Sequence, residues 1–263
     1  MSLWMPRDLE VLVTSYGGAG TTFLIEFLSQ YKRTNDRHDG DQLKHLPMPP
    51  VSWNPRFRCV YLFGDPVLAT VSLFNRGMQH AQSKKLLALR RDLSPIPEGM
   101  TLEAYARAGA DRLHFRDHFE NWHERYLVHP VLFLRYETLW DNRDALAGFL
   151  ELPDGAMDAF PEQRTRNAAL DGLPPDTLAG LERMYGAFRD ELAQRPDAEV
   201  RGPDLAGKRL HLLRTRNFRM ALGKAANTTC RKRLRNPLAN ALQRRLPRLH
   251  AALSKAKRRV AGE

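Results

Sequence analysis

The sequence predicts an α/β fold in three layers, with helices on either side of a mostly parallel sheet. Two observations carry this. Three apolar runs have strand character: LEVLVTS (9–15), FRCVYLF (57–63) and VLFLRYE (131–137). Each is followed by a stretch whose apolar residues recur at helical spacing, and strand–helix repeated three times favours parallel pairing. At 263 residues, 43% apolar and 27% charged, the chain is long enough for one large core with an appendage.

The first strand stops at Tyr16-Gly17-Gly18, and a helix follows from Thr21 or Thr22 with Phe23, Leu24, Phe27 and Leu28 at helical spacing. It should end near Lys32, where RTNDRHDGDQ supplies turn residues. The second strand holds Cys59 as a buried thiol, and Gly64-Asp65-Pro66 opens the next helix with proline in the first turn. That helix carries Val67, Val71 and Phe74, with Arg76 at its far end. Residues 82–98, ending in SPIPEG, read as a mobile polar excursion. Residues 101–126 read as mostly helical, with Thr101 as a partial cap and Gly109 as a break point. A helix over 142–152 follows the third strand. Residues 174–194 form an amphipathic helix with proline at its start and Asp176 as a candidate cap. RPDAEVRGPD (195–204) reads as a boundary, dividing a domain at 1–199 from a basic, largely helical extension at 200–263.

Charge is unevenly spread. Residues 201–263 hold 18 Lys and Arg against Asp204 and Glu263, a formal +16; since the whole chain is +11, residues 1–200 stand at −5. A basic amphipathic tail suits an anionic membrane surface or a partner subunit; without an aromatic-basic platform, nucleic acid is disfavoured. The two cysteines, Cys59 and Cys230, are too few for a disulfide framework, and no window approaches 18 apolar residues. The expectation is a cytoplasmic protein with a peripheral attachment to the inner membrane surface; an oligomer is left open.

The chemistry begins at YGGAGTTF (16–23). Gly17, Gly18 and Gly20 permit the positive backbone angles of an amide nest, and the helix opening at Thr21 and Thr22 presents bare N–H groups to an anion. A nucleoside-triphosphate loop needs lysine after its last glycine, where this chain has Thr21, so a magnesium-dependent ATPase or GTPase is disfavoured. The plainer interpretation, a tight strand-to-helix turn, explains the glycines equally well. Downstream, Ser72 and Arg76 lie four apart and face the same way, as an anion clamp or as packing residue and solvated charge. In DGDQLKHLPMPP (39–50), Lys44 can supply the missing positive charge and His45 can accept a proton from a hydroxyl, with His38 as a rival base. Asp39, Asp41 and Asp65 show no metal-binding spacing, and no metal is expected.

Taken together, these segments resemble the sulfotransferases that use 3'-phosphoadenosine 5'-phosphosulfate, on a P-loop NTPase-like fold. The resemblance covers roughly residues 9–195. YGGAGTTF resembles the family's 5'-phosphosulfate loop, so Gly17, Gly18, Ala19, Gly20, Thr21, Thr22 and Phe23 are implied donor contacts. LFGDPVLATVSLFNR (62–76) resembles its 3'-phosphate segment, with Ser72 as the phosphate ligand. VLFLRYETLWDNRDALAGFLEL (131–152) is similar to its strand-Tyr-Glu-helix element, placing Tyr136 near adenine and giving Glu137 a structural role. Two departures stand out: the family's loop lysine falls at Gly18, and the arginine before its Asp-Pro falls at Gly64. Lys44, Arg76, Arg164 and Arg166 are the available substitutes.

The resemblance implies in-line transfer of a sulfuryl group to a hydroxyl acceptor (carbohydrate, lipid-linked or small), with His45 as base and Lys44 beside the leaving oxygen. Two other functions remain in view: a nucleotide-dependent phosphotransferase such as a small-molecule kinase, and a non-catalytic nucleotide-binding protein.

Overall fold

The three apolar runs form adjacent strands in a computed structural model that describes residues 5–52, 54–89, 92–125, 127–163 and 170–203. All of these belong to one unit of the chain, Trp4–His211. One sheet has the order β1 (Val11–Thr14), β2 (Arg58–Phe63), β3 (Val131–Arg135), β4 (Ala198–Arg201). The first three strands are parallel, with Val11 opposite Arg58 and Cys59 opposite Val131; β4 runs antiparallel to β3. The fold is therefore mixed α/β with a four-stranded, mostly parallel sheet.

Alternation along the strands sends side chains into two separate cores. Leu12, Cys59, Tyr61, Phe63, Val131 and Phe133 enter one; Val11, Val13, Val60, Leu62, Leu132 and Leu134 enter the other. Both faces of parallel strands must be covered, because every residue of these short runs is apolar or nearly so. Helices α1 (Thr21–Leu28) and α6 (Arg143–Leu150) cover the second face. Helices α2 (Pro66–Asn75), α4 (Leu102–Ala108), α5 (Phe115–His123) and α7 (Pro175–Ala193) cover the first. Gly109 breaks the 101–126 stretch by turning left-handed at φ 62°, and the Thr101 side chain caps α4 through the Ala104 N–H at 3.2 Å. Cys59 is fully buried, and burial pushes its thiol pKa up.

Three local expectations are corrected. Residues 82–98 do not begin as a polar excursion: α3 (Gln79–Leu86) runs through their start, followed by a short 3-10 turn at Leu87–Leu89. Its buried stripe includes Gln82 and Ser83, polar residues that satisfy themselves on backbone, so hydrophobic periodicity could not reveal it. The 195–204 stretch is likewise more than a connector. Its Ala198–Arg201 adds the edge strand β4, and the expected division at 199/200 runs through that strand. Asp176 lies in the first turn of α7 but does not cap it; Pro174 holds the cap position without a side-chain bond. Most of the basic extension, from 204 onward, lies outside the described residues. No helix among the described residues is long and apolar enough to cross a membrane.

Candidate functional site

A cleft of about 670 Å³ opens at the carboxyl ends of the parallel strands, where ligands gather in open α/β sheets. The turn after β1, the helix after β2 and the residue after β3 all reach it. Gly17, Gly18, Gly20, Thr21, Thr22 and Phe23 line it, as do Lys44, His45, Ser72, Arg76 and Tyr136. Ala19 does not: its side chain is 1% exposed and packs in the core under α1. Arg164 and Arg166 lie outside the described residues.

The glycine turn is built as its sequence requires. Gly17, Gly18 and Gly20 have φ of 108°, 70° and 75°, in the left-handed region open to glycine. Gly20 precedes α1 with no side-chain cap, and the helix has no acidic residue in its first turn. Its first N–H groups are thus left for an incoming anion. The second turn behaves differently. The Asp65 carboxylate accepts from the N–H groups of Val67 (2.7 Å) and Leu68 (3.2 Å) and so occupies the start of α2. Asp65 and Pro66 thus start the helix as the sequence led one to expect, and this turn is capped by its own carboxylate where the first is open. What α2 brings to the cleft is its other end, Ser72, Asn75 and Arg76, with Arg76 Nε donating to Ser72 O at 2.9 Å.

Neighbouring groups occupy the space a side chain would need at Gly18 and at Gly64. A Cβ at Gly18 would lie 2.8 Å from Ala69 Cα, and one at Gly64 would lie 2.8 Å from both carboxylate oxygens of Glu137. Glu137 also accepts from the Asp65 N–H at 3.1 Å, tying the end of β3 to the turn after β2. The Tyr16 hydroxyl accepts from Gly64 N–H at 2.9 Å and donates to Gly64 O, joining the ends of β1 and β2. Tyr136 packs directly over Gly20, where a Cβ would meet its ring at 2.2 Å.

Lys44 reaches the start of α1 from the loop between α1 and β2. Its ammonium donates to Thr22 Oγ1 and to Arg37 O, the latter at 2.8 Å. Burial lowers its pKa and nearby Asp39 opposes that; Lys85 and Arg76 then lower it further. The backbone of Lys44 is fixed too, because its carbonyl accepts from Thr14 Oγ1 at 3.0 Å. Next to it, His45 Nδ1 donates to the Ser15 carbonyl at 2.8 Å, which leaves Nε2 with its lone pair. Burial pushes the His45 pKa down to about 4; the Ser15 bond works against this. The ring is therefore neutral at pH 7 and able to take a proton. His38 also lines the cleft, but its Nε2 accepts from Arg37 Nε at 3.0 Å, so that nitrogen is engaged.

Sequence reasoning did not single out Arg37, Gln82 or Lys85, all of which line the cleft. Gln82 donates to Tyr16 O at 2.9 Å and would touch a side chain at Gly17, so it supports the glycine turn from α3. Helical spacing of Gln79, Gln82, Ser83 and Leu86 was the available signal, masked by its polarity. Among the described residues, no group of three or more His, Cys, Asp and Glu is arranged to hold a metal ion. No protein-family profile matches the chain, and no curated protein matches it in sequence.

Proposed function

We propose that this protein is a sulfotransferase of three-layer, P-loop-like fold that uses 3'-phosphoadenosine 5'-phosphosulfate. The observation that carries the proposal is the convergence, in one cleft, of an uncapped helix start, the Lys44 ammonium on Thr22, and the neutral His45. The residues suit a nucleotide with two anionic ends. The amides of residues 18–22 and the hydroxyls of Thr21 and Thr22 would hold the 5' end, Ser72 and Arg76 the 3'-phosphate, and Tyr136 the base.

The crowding at Gly18 and Gly64 bears on the two departures from the sulfotransferase pattern. The loop leans against α2 where the family lysine would stand, and Glu137 fills the space beside Gly64. Lys44 enters from another segment and restores positive charge at the same helix end.

In the proposed reaction the acceptor oxygen attacks sulfur and the bond from sulfur to the bridging 5'-phosphate oxygen breaks. The acceptor proton passes to His45 Nε2. Lys44, Thr22 and the loop amides stabilise the leaving 3'-phosphoadenosine 5'-phosphate. A kinase assignment gains nothing from Asp65, whose carboxylate is engaged in capping α2.

Thermal denaturation with 3'-phosphoadenosine 5'-phosphate or with ATP and magnesium separates the two activities. The sulfotransferase assignment expects stabilisation by the bisphosphate at concentrations where ATP with magnesium has little effect. The reverse order of ligands would point to phosphoryl transfer instead.

A further inference from the structure

Lys85 stands on α3, half-buried, and its ammonium binds the Asp39 carboxylate, both residues lining the cleft. Asp39 is nearly buried, its side chain 7% exposed, and its other oxygen accepts from the Lys44 N–H at 3.0 Å. One carboxylate thus ties α3 to the segment that presents Lys44 and His45. Among the described residues lining the cleft, Arg37, Lys44, Arg76 and Lys85 are cationic and Asp39 is the only carboxylate. Arg37 is itself neutralised by Glu26 at 2.7 Å. The glycine turn has no room for a side chain at Gly18, so positive charge can reach the start of α1 only from neighbouring elements.

We propose that Lys85 is an anion ligand of this cleft, supplying from α3 the second positive charge that the glycine turn cannot carry. Asp39 is its counter-ion in the ligand-free protein. This rests on the donor assignment above and adds a residue to it. In the ligand-free protein Asp39 holds Lys85 extended over the cleft. When the phosphosulfate end settles on the start of α1, Lys85 exchanges Asp39 for the donor oxygens, while Asp39 keeps its bond to the Lys44 N–H. Lys44, His45, Arg76 and Lys85 line the same cleft, so the group stands beside the reacting end. Asp39 then competes with the anion for Lys85. Removing its charge should tighten anion binding even though the same residue steadies the base.

The test is calorimetric titration of the full chain with 3'-phosphoadenosine 5'-phosphate, using wild type, Lys85→Met, Lys85→Arg, Lys84→Met and Asp39→Asn, with thermal midpoints recorded alongside. Lys84 is exposed and carries the same charge outside the cleft, so it controls for net charge. Lys85→Met is expected to weaken binding about 10- to 100-fold and to flatten its salt dependence, and Lys85→Arg to retain most of the affinity. Lys84→Met should behave as wild type, and Asp39→Asn should bind more tightly. Equal affinities for Lys85→Met and Lys84→Met would overturn the role of Lys85, as would weaker binding by Asp39→Asn. Inorganic pyrophosphate in the same titrations separates two failures. If wild type takes pyrophosphate, weakened by Lys85→Met, but not the nucleotide, the Lys85 role stands and the donor assignment falls. If wild type binds neither anion, both fall.

Discussion

The ammonium of Lys44 donates to the hydroxyl oxygen of Thr22, although 22 residues separate them and no helix or strand contains both. The contact brings a cation to the start of α1, where bare N–H groups already favour negative charge. Thr22 is exposed to the cleft, so an anion placed there meets hydroxyl, amides and ammonium together. Lys44→Met should lower affinity for 3'-phosphoadenosine 5'-phosphate by roughly 1.5–3 kcal/mol, the usual worth of a charge-assisted bond in a site. Calorimetry on a variant with unchanged far-ultraviolet circular dichroism checks this. Equal affinity would mean that Lys44 only braces the Arg37 carbonyl.

Restoring the lysine expected by family resemblance should fail. Gly18 has φ 70°, and a side chain there would press on the Ala69 backbone. Gly18→Lys is therefore expected to destabilise the fold by at least about 1–3 kcal/mol and to give no gain in nucleotide affinity. Chemical denaturation measures the first effect. A variant as stable as wild type would show that the turn does not lean on α2.

Tyr16 joins two strand ends through one hydroxyl, serving both the N–H and the carbonyl of Gly64. Tyr16→Phe keeps the ring among Phe115, Tyr61 and Phe188 but leaves two buried backbone groups short of a partner. The expected loss is about 1–3 kcal/mol, read from urea denaturation. A change near zero would mean that water replaces the hydroxyl and the turn after β2 is set by Glu137 alone.

Two histidines, the fully buried His118 and the partly buried His45, are held in their neutral form. Burial is the leading cause in both, pushing His45 to about 4 and His118 to about 3. In the unfolded chain both return to about 6.5. Between about pH 6.5 and 4 the unfolded chain then binds more protons than the folded one, so stability rises with pH in this window and is lost on acidification. Each histidine contributes a slope of up to roughly 1.4 kcal/mol per pH unit. The urea midpoint should fall clearly from pH 7.5 to pH 5, and His118→Gln should reduce that dependence. A midpoint unchanged over this range would contradict the neutral assignment of His45.

Much of the sheet was legible because buried parallel strands leave continuous apolar runs, as in CVYLF and VLFL. Helices α1, α2, α6 and α7 were legible through apolar spacing and through signals such as Pro66 behind Asp65. β4 was not, because AEVR is short, half-exposed and placed among proline, aspartate and glycine, which mimic a linker. α3 escaped for a different reason: its inward stripe is completed by Gln82 and Ser83, whose burial depends on hydrogen bonds to distant backbone. Lys85 was lost with it. Lys44 and His45 could be nominated from chemistry alone. That Lys44 reaches Thr22, and that Ser15 fixes the His45 tautomer, required the long-range packing of the 36–45 loop against β1.

A crystal structure with 3'-phosphoadenosine 5'-phosphate is the most direct measurement of where the nucleotide sits. The account predicts the 5'-phosphate within hydrogen-bond distance of the amides of residues 18–22, Thr22 Oγ1 and Lys44 Nζ, with the 3'-phosphate beside Ser72 and Arg76. A nucleotide held elsewhere, or a cleft left empty at saturating ligand, would contradict it.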